Sequence, residues 1–312
     1  MNELGTDELG IAGCITLLVS NGYRVIRPLE QRSSYANRTK PEAGLVKVAI
    51  VDTETTGLDF WSDYMIEAAV LVVEFLPETG EVFDVIATYS GLEESPIGVP
   101  VEAAAVNGIS ESEIQGRRFD DERVAEVLAG VSLVIAHNAE FDRPFLEERF
   151  PVFATLPWAC SQKGIWWQGE GMGGAKLEYL CYRAGYHYAA HRAINDCRAL
   201  LELLATPLPK SGRSALQVLW DGAKESFFEV RFALPPRSDV IPQAKNFGAR
   251  WNAKLKRWCI RSSNINLQPK LDNVTKLTQG LASVDSVRVI ESSAIDRFSM
   301  RDGIDVTQRY FG

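Results

Sequence analysis

The sequence predicts an α/β domain followed by a small α+β module. Residues 45–51 and 131–137 form uninterrupted, apolar and largely β-branched runs, which are typical of buried strands. Apolar residues recur at helical spacing in residues 140–150 and 193–205, which indicates amphipathic helices. The segment 206–215 contains two prolines and a glycine among polar residues, so we interpret it as a linker to the module.

The first strand leads into two carboxylates, Asp52 and Glu54, in the motif VDTETTGLD (51–59). Side chains two residues apart on a strand point to the same face, so both carboxylates are predicted to enter one space while Thr53 turns away. Carboxylates held close together repel each other and lose solvation, and a hard divalent cation removes that cost. The pair therefore predicts a site for Mg²⁺ or Mn²⁺. Taken alone, a pair with this spacing is more commonly a polar strand end.

A third carboxylate, Asp142, lies in the motif AHNAEFD (136–142), where the second strand gives way to a helix. The apolar spacing of residues 140–150 puts Asp142 in the first helical turn, close to the strand end and to Asn138. An acidic residue in a first turn is also favoured by the helix dipole, so simple helix-start chemistry is the alternative.

The motif HRAIND (191–196) supplies a histidine and a fourth carboxylate, Asp196. Imidazole titrates near neutral pH, so His191 is suited to take a proton from a water molecule that a cation has acidified. Among the three histidines, His191 is favoured because it precedes a helix-borne aspartate. His137 is expected at a strand end, facing the cleft or the core. A structural role is the alternative for His191.

These motifs together resemble those of the DEDDh 3'–5' exonuclease family, whose members include the proofreading epsilon subunit of bacterial replicative polymerases. The resemblance covers roughly residues 45–206, and all five catalytic positions of the family are filled. VNGISESEI (106–114) resembles the family's stretch between the first two motifs, with Asn107 where histidine is common. The resemblance implies a ribonuclease H-like mixed five-stranded sheet flanked by helices. Its strands would lie near residues 46–52, 66–75, 81–90, 131–137 and 155–160.

The resemblance also implies a role for each residue of the set. Asp52, Glu54 and Asp196 would bind one cation, and Asp52 would bridge to a second. Asp142 would act mainly through water molecules on the metal, and His191 would be the general base. Two Mg²⁺ or Mn²⁺ ions, about 4 Å apart, would clamp the scissile phosphate. The product would be a nucleoside 5'-monophosphate.

Three residues near these motifs are candidate substrate contacts. Family contacts map onto Thr55 and onto Leu58, which would wedge between the terminal bases, and Asn138 is the third candidate. A threonine in a turn and a leucine in the core are the structural alternatives. The expected substrate is the 3' end of single-stranded DNA, with a polymerase or repair complex as a possible partner. An RNA 3' end is the alternative, because the same five catalytic residues serve both substrates.

Charge is distributed unevenly along the 312 residues, whose net charge is −8. Residues 213–312 hold 16 Lys and Arg against 10 Asp and Glu, and no acidic residue occurs between Val240 and Leu271. The acidic total therefore does not exclude a nucleic-acid substrate. The sequence AKNFGARWNAKLKRW (244–258) is similar to a small uncharacterised domain with an AKxxGARW signature, found appended to DNA-processing enzymes.

The basic segment supports a second hypothesis, in which the module binds nucleic acid and the protein acts chiefly in recruitment. Basic side chains would neutralise phosphates while an exposed tryptophan stacks on a base. The alternative is that Trp251 and Trp258 form the core of the module and the basic residues only solvate it. The predicted contacts of this module are Lys245, Arg250, Lys256 and Arg257.

Composition sets the remaining expectations. A 312-residue chain that is 46% hydrophobic can bury one large core and a smaller one. The apolar run at 10–20 is too short to span a membrane and predicts a helix instead, so a cytoplasmic protein with no membrane partner is expected. The expected organisation is a helix and extension packing on the core, the exonuclease domain, a linker and a basic α+β module, at residues 1–44, 45–206, 207–215 and 216–312.

Overall fold

The computed structural model describes residues 10–235, 239–253, 255–263, 266–278 and 287–311. Within these ranges the first domain contains one five-stranded sheet with strand order β4-β3-β2-β5-β6. Its strands are β2 Val46–Thr55, β3 Met65–Leu76, β4 Glu81–Leu92, β5 Val131–Ala136 and β6 Trp158–Cys160. Strands β2, β3 and β4 are antiparallel neighbours, whereas β5 runs parallel to β2 and β6 parallel to β5. The mixed ribonuclease H-like sheet that was predicted is confirmed.

The central strand β2 is buried on both faces, which explains its unbroken apolar run. Val48 and Ile50 face one core, while Ala49 and Val51 face the other. The first core is covered by α7 Leu177–Ala184, α8 Ala193–Ala205 and α9 Ala215–Ala223. The second is covered by α4 Asp121–Leu128, α5 Ala139–Arg149 and the 3-10 helix Pro151–Thr155. Because α9 joins the first core, that core extends past residue 206, where the linker is expected to begin.

Shorter elements complete the first domain. They are α1 Ile11–Ser20, β1 Arg27–Pro28, α2 Val101–Asn107, α3 Glu111–Ile114, α6 Ser161–Gly164 and β7 Tyr186–His187. Strand β1 pairs with β7, and residues 33–35 run along the outer edge of β4, where the Tyr35 amide donates to the Phe83 carbonyl at 3.0 Å.

Helix α1 forms as predicted, but the expectation that it packs on the core is wrong. None of its residues is buried, and Ile11 is 82% exposed. The helix is apolar around most of its circumference, so its pattern predicted a helix without specifying a face to bury. No helix among the described residues is long and apolar enough to cross a membrane.

The module contains a second sheet, whose strands are all antiparallel to their neighbours. Its order is β12-β11-β8-β10-β9 in the part of the chain that the structure describes. Its strands are β8 Phe227–Phe232, β9 Arg250–Asn252, β10 Arg257–Ser263, β11 Arg288–Ser292 and β12 Ile304–Asp305. One face packs with α10 Ile241–Asn246, α11 Leu267–Thr278 and α12 Gln308–Phe311 around a third core. Trp258 lies in that core but Trp251 is 52% exposed, so the two tryptophans do not share one role.

Residues 293–301, between β11 and β12, lie against the five-stranded sheet of the first domain. The Trp158 amide donates to the Ala294 carbonyl at 2.8 Å, and Phe298 packs against the second core. The Arg143 guanidinium of α5 is fully buried and donates to the carbonyls of Ala294, Ile295 and Arg297. The module is therefore attached directly to the helix that carries Asp142.

Candidate active site

Asp52, Glu54 and Asp196 converge at the carboxyl end of β2. One ligand oxygen from each lies within 4.8 Å of those of the other two, and no other group of this kind is found among the described residues. Asp52 and Glu54 project from the same face of β2, as predicted from their spacing. Three carboxylates at such distances supply the oxygen ligands that Mg²⁺ and Mn²⁺ prefer, so the residues fit a divalent cation.

Asp196 is held in place by both of its carboxylate oxygens. It lies in the first turn of α8, where Oδ1 accepts a hydrogen bond from the Tyr188 hydroxyl at 2.8 Å and Oδ2 accepts one from the His191 amide at 2.8 Å. His191 adopts a left-handed backbone conformation, with φ of 64°. That turn directs its amide toward Asp196, because the chain reverses just before the helix begins.

Asp142 is buried beside this group, on the helix that the sequence predicted over residues 140–150. It lies in the first turn of α5, and its Oδ1 accepts hydrogen bonds from the Thr53 amide at 3.2 Å and the Thr53 hydroxyl at 3.0 Å. Thr53 therefore does turn away from Asp52 and Glu54, and it holds the fourth carboxylate. One short stretch of β2 thus positions carboxylates on both of its faces.

His191 lies in the approach loop to α8, as expected, and is exposed. Desolvation by burial raises the pKa of the Asp196 carboxyl above its ordinary value, and the hydrogen bonds from the Tyr188 hydroxyl and the His191 amide offset part of that rise. An exposed imidazole next to a carboxylate cluster can exchange protons with solvent during turnover. His137 is buried instead, bonded through its ring to the Ser161 hydroxyl and the Ala175 carbonyl, and burial lowers its pKa to about 4.

The model of the RNase_T family, described as an exonuclease, matches residues 49–204, which is half of the chain. The chain belongs to the RNase_T exonuclease family. The matched residues include Asp52, Glu54, Asp142 and Asp196, so the carboxylate group described above lies within the exonuclease domain.

Among curated proteins, the chain is similar to a PolC-type DNA polymerase III of Thermotoga petrophila, with 29% identity over 150 residues. That match covers 47% of this chain and 10% of the polymerase, so the chain spans about a tenth of such relatives. It is also similar to the DNA polymerase III epsilon subunit of Treponema pallidum, with 28% identity over 170 residues, covering 50% of this chain and 73% of the subunit.

Two solved structures also align with the RNase_T domain. Exonuclease X in complex with 5' overhanging duplex DNA has 24% identity and a TM-score of 0.41, covering 55% of this chain and 97% of that one. A 3'-exonuclease that recognises a histone mRNA stem-loop has 15% identity and a TM-score of 0.41, covering 53% and 64%.

Burial and mutual repulsion favour protonation of the metal-free RNase_T site. Desolvation, followed by the charges of Asp142 and the other carboxylates, raises the pKa of Asp52 well above its ordinary value. Desolvation, then Asp196 and Glu67, raises the pKa of Glu54 to about 8. Desolvation raises the pKa of Asp142 to about 7 despite its bonds from Thr53. A divalent cation would compensate this excess of buried negative charge.

Three side chains of the site, those of Glu67, Tyr188 and Arg192, were not anticipated from the sequence. Glu67, opposite Glu54 on β3, is buried and accepts hydrogen bonds from the Ala193 amide at 3.0 Å and the Arg192 guanidinium at 3.3 Å. Together with the Tyr188 hydroxyl, these bonds fix the start of α8 and so the position of Asp196. The available signal was an acidic residue within the apolar run MIEAAVLVV (65–73), which is costly unless it is paired.

The three candidate contacts of the first domain, Thr55, Leu58 and Asn138, differ in exposure. Asn138, at the start of α5, is exposed, and Leu58 is 86% exposed, so the core alternative for Leu58 is wrong. Thr55 is buried, and its hydroxyl donates to the Gly57 carbonyl at 2.5 Å, which shapes the loop that presents Leu58. Asn107 is buried and accepts a hydrogen bond from the Ile109 amide, so it stabilises a turn.

The raised pKa values predict how the stability of the metal-free protein depends on pH. Below about pH 3, Glu54 and Asp142 are largely neutral in both the folded and unfolded states. As pH rises toward 8 they ionise first in the unfolded chain, so each removes up to about 1.4 kcal/mol of unfolding free energy per pH unit between its two pKa values. We expect urea unfolding between pH 5 and 8 to show this loss, and Mg²⁺ to reverse it most strongly at pH 8.

The matched control is Glu54→Gln, which removes one of the titrating groups. Its stability should fall less steeply over the same pH range, and Mg²⁺ should stabilise it less. If Glu54→Gln and the wild-type protein gave parallel curves with and without Mg²⁺, the site would not be the source of the pH dependence.

Proposed function

We propose that the protein removes nucleoside 5'-monophosphates from the 3' ends of single-stranded DNA by two-metal-ion hydrolysis. The observation that carries this proposal is the convergence of Asp52, Glu54 and Asp196, with Asp142 alongside, in a domain of the RNase_T exonuclease family. The names of the curated relatives, both DNA polymerase III proteins, support DNA as the substrate and a polymerase or repair complex as a partner.

The carboxylates divide into two sets. Asp52, Glu54 and Asp196 would hold one cation, and Asp52 with Asp142, the latter acting mainly through water molecules, would hold the second. When bound, the cations supply positive charge that stabilises the pentavalent transition state and acidifies the attacking water. The hydrogen bonds from Tyr188, His191 and Thr53 fix the carboxylate oxygens, so little reorganisation is needed when the substrate arrives.

His191 is proposed as the general base. Its imidazole accepts a proton from the water molecule whose oxygen forms the new bond to phosphorus. The bond from phosphorus to the 3'-oxygen breaks, that oxygen gains a proton, and the strand is left with a 3'-hydroxyl. The exposure of His191 allows it to return its proton to solvent before the next cycle.

Residues in the turns of the first two motifs would orient the last nucleotides. Leu58 is proposed to insert between the terminal bases, because a leucine that is 86% exposed on a short loop has no packing role there. The loop that carries it is held by Asp63, whose carboxylate accepts hydrogen bonds from the Thr56 hydroxyl and the Asp59 amide. Asn138 and Thr55 are proposed to contact the terminal nucleotide from the two motif turns.

Digestion of 5'-labelled oligonucleotides tests the proposal. With Mg²⁺, single-stranded DNA should give a ladder of products shortened from the 3' end, and EDTA should abolish it. RNA of the same sequence should be shortened at least about tenfold more slowly, which corresponds to about 1.4 kcal/mol of discrimination in the transition state. Equal or faster cleavage of RNA would replace DNA by RNA as the substrate, and a ladder that persists in EDTA would exclude the metal mechanism.

A further inference from the structure

The module lies beside β6, the outer strand of the first domain's sheet. Strands β2, β5 and β6 are parallel, so their carboxyl ends lie at one edge, and β6 is two strands away from β2, or about 10 Å. Beyond β6 lies a cavity of about 780 Å³ between the two domains. Its lining includes Glu140 and Lys163 from the exonuclease domain, and Asn252 and Arg261 from the module.

The module is fixed to the helix that carries Asp142 at two points. The Arg261 guanidinium of β10 pairs with Glu140 in the first turn of α5, and Lys163 pairs with the same carboxylate. One residue beyond Asp142, Arg143 is bonded to three backbone carbonyls of residues 293–301. A surface on the module therefore has a fixed position relative to the catalytic carboxylates.

Basic side chains continue from this attachment along the sheet. Arg257 and Arg261 are four residues apart on β10 and so share a face, separated by about 13 Å. Cys259, between them, projects from the same face. Arg250 of β9 is opposite Cys259 in the strand pairing, so Arg250 projects from that face too. Lys256, in the turn between these strands, and Lys245, on α10, are also exposed.

Four of these basic residues, Lys245, Arg250, Lys256 and Arg257, lack, among the residues described, the carboxylate partners that other arginines of the module have. Arg231, Arg261, Arg288 and Arg309 are each paired with a carboxylate. Within the described residues no carboxylate pairs with Lys245, Arg250, Lys256 or Arg257. Clustered cations without counter-charges repel one another, and the phosphates of a nucleic-acid strand would relieve that repulsion.

An exposed aromatic ring lies at the same edge. Trp251 is in the edge strand β9, and the rim of its ring contacts buried Trp258 with centroids 5.9 Å apart at an angle of 63°. Contact with Trp258 holds the Trp251 ring in one orientation, while about half of the Trp251 surface stays in solvent. Because Trp251 is opposite Trp258 in the β9–β10 pairing, it projects from the other face of the sheet than Arg250 and Arg257. At the sheet edge, an ordered and exposed indole is suited to stack on an unpaired base of a strand that passes around that edge.

We propose that the β9–β10 edge of the module binds single-stranded nucleic acid upstream of the 3' end that is being cut. Arg250, Lys256, Arg257 and Lys245 contact phosphates, and Trp251 stacks on a base. This inference rests on the proposed function, because it concerns the strand that feeds the same active site. It makes the module a processivity element, which keeps the substrate bound between successive cleavages.

Binding of fluorescein-labelled oligothymidylates of 5 and 30 nucleotides tests this, using the full-length chain with Asp52→Asn so that the strand is not consumed. Arg250→Ala with Arg257→Ala should weaken binding of the 30-mer about tenfold or more and reduce the slope of log K against log salt by about 1.4, for two lost phosphate contacts. Trp251→Ala should weaken it about tenfold, and Trp251→Phe should restore most of the affinity. The preference for the 30-mer over the 5-mer should fall in both variants.

The matched control is Arg118→Ala with Arg123→Ala, which removes two exposed positive charges near α4, on the β4 side of the sheet. It should leave affinity and salt slope near wild-type values. If the Arg250 and Arg257 double variant matched this control, the inference would be wrong even though wild-type protein still shortened DNA. If wild-type protein shortened no strand in Mg²⁺, the proposed function would fail, whatever the binding result.

Discussion

Asp52→Asn is expected to lower kcat for 3'-end cleavage by at least about a thousandfold, which is about 4 kcal/mol of transition-state stabilisation. Asp52 belongs to the three-carboxylate group and is proposed to contact both cations, so its loss removes charge from both. The amide has nearly the same shape, so the fold should be retained. Rates on 5'-labelled single-stranded DNA, together with calorimetric titration of Mn²⁺, measure the two effects.

The comparison variant is His191→Ala. It should lower kcat by about a hundredfold to ten-thousandfold, the usual contribution of a general base. Mn²⁺ affinity should change little, because the hydrogen bond to Asp196 comes from the His191 backbone amide. A collapse of Mn²⁺ affinity in His191→Ala would show that the imidazole is a ligand. Full activity in Asp52→Asn would exclude the carboxylate group as the active site.

Arg143→Met is expected to lower the free energy of unfolding by about 3–5 kcal/mol, the cost of breaking a buried charged pair. The change removes the Arg143 guanidinium as a donor to three carbonyls of residues 293–301 and to the Glu147 carboxylate. Activity should fall as well, because Arg143 follows Asp142 on α5. Urea unfolding and cleavage rates measure both, and Arg143→Lys should recover part of each.

Arg123→Met provides the control for this prediction. Arg123 also lies on a helix and pairs with a glutamate, but both side chains are largely exposed, so the expected change is below about 1 kcal/mol. If Arg143→Met and Arg123→Met were equally stable, the attachment of the module to α5 would contribute little to the fold.

The parts of the site that could be predicted depend on local spacing. Asp52 and Glu54 share a face because a strand has a period of two, and the helix pattern placed Asp142 and Asp196 in first turns. Thr53 was correctly expected to turn away from the cluster. The hydrogen bonds from Thr53 to Asp142 were not anticipated, because they join two segments 89 residues apart.

Contacts between distant segments also explain what the sequence could not indicate. Glu67 acts on Asp196 only because β3 pairs with β2 and α8 begins above them. Arg143 reads as an ordinary polar helix residue, and its carbonyl partners lie about 150 residues later in the chain. Likewise, the pattern of α1 predicted a helix, but no local signal shows what its apolar surface would contact.

Both outer strands of the exonuclease sheet are covered by segments from outside residues 45–206. Residues 33–35 bond to β4, and the Ala294 carbonyl accepts a hydrogen bond from the amide of Trp158 in β6. Open strand edges are templates for pairing with other chains. A fragment cut at the apparent limits of the catalytic motifs would leave both edges open and is therefore expected to aggregate more readily than the longer chain.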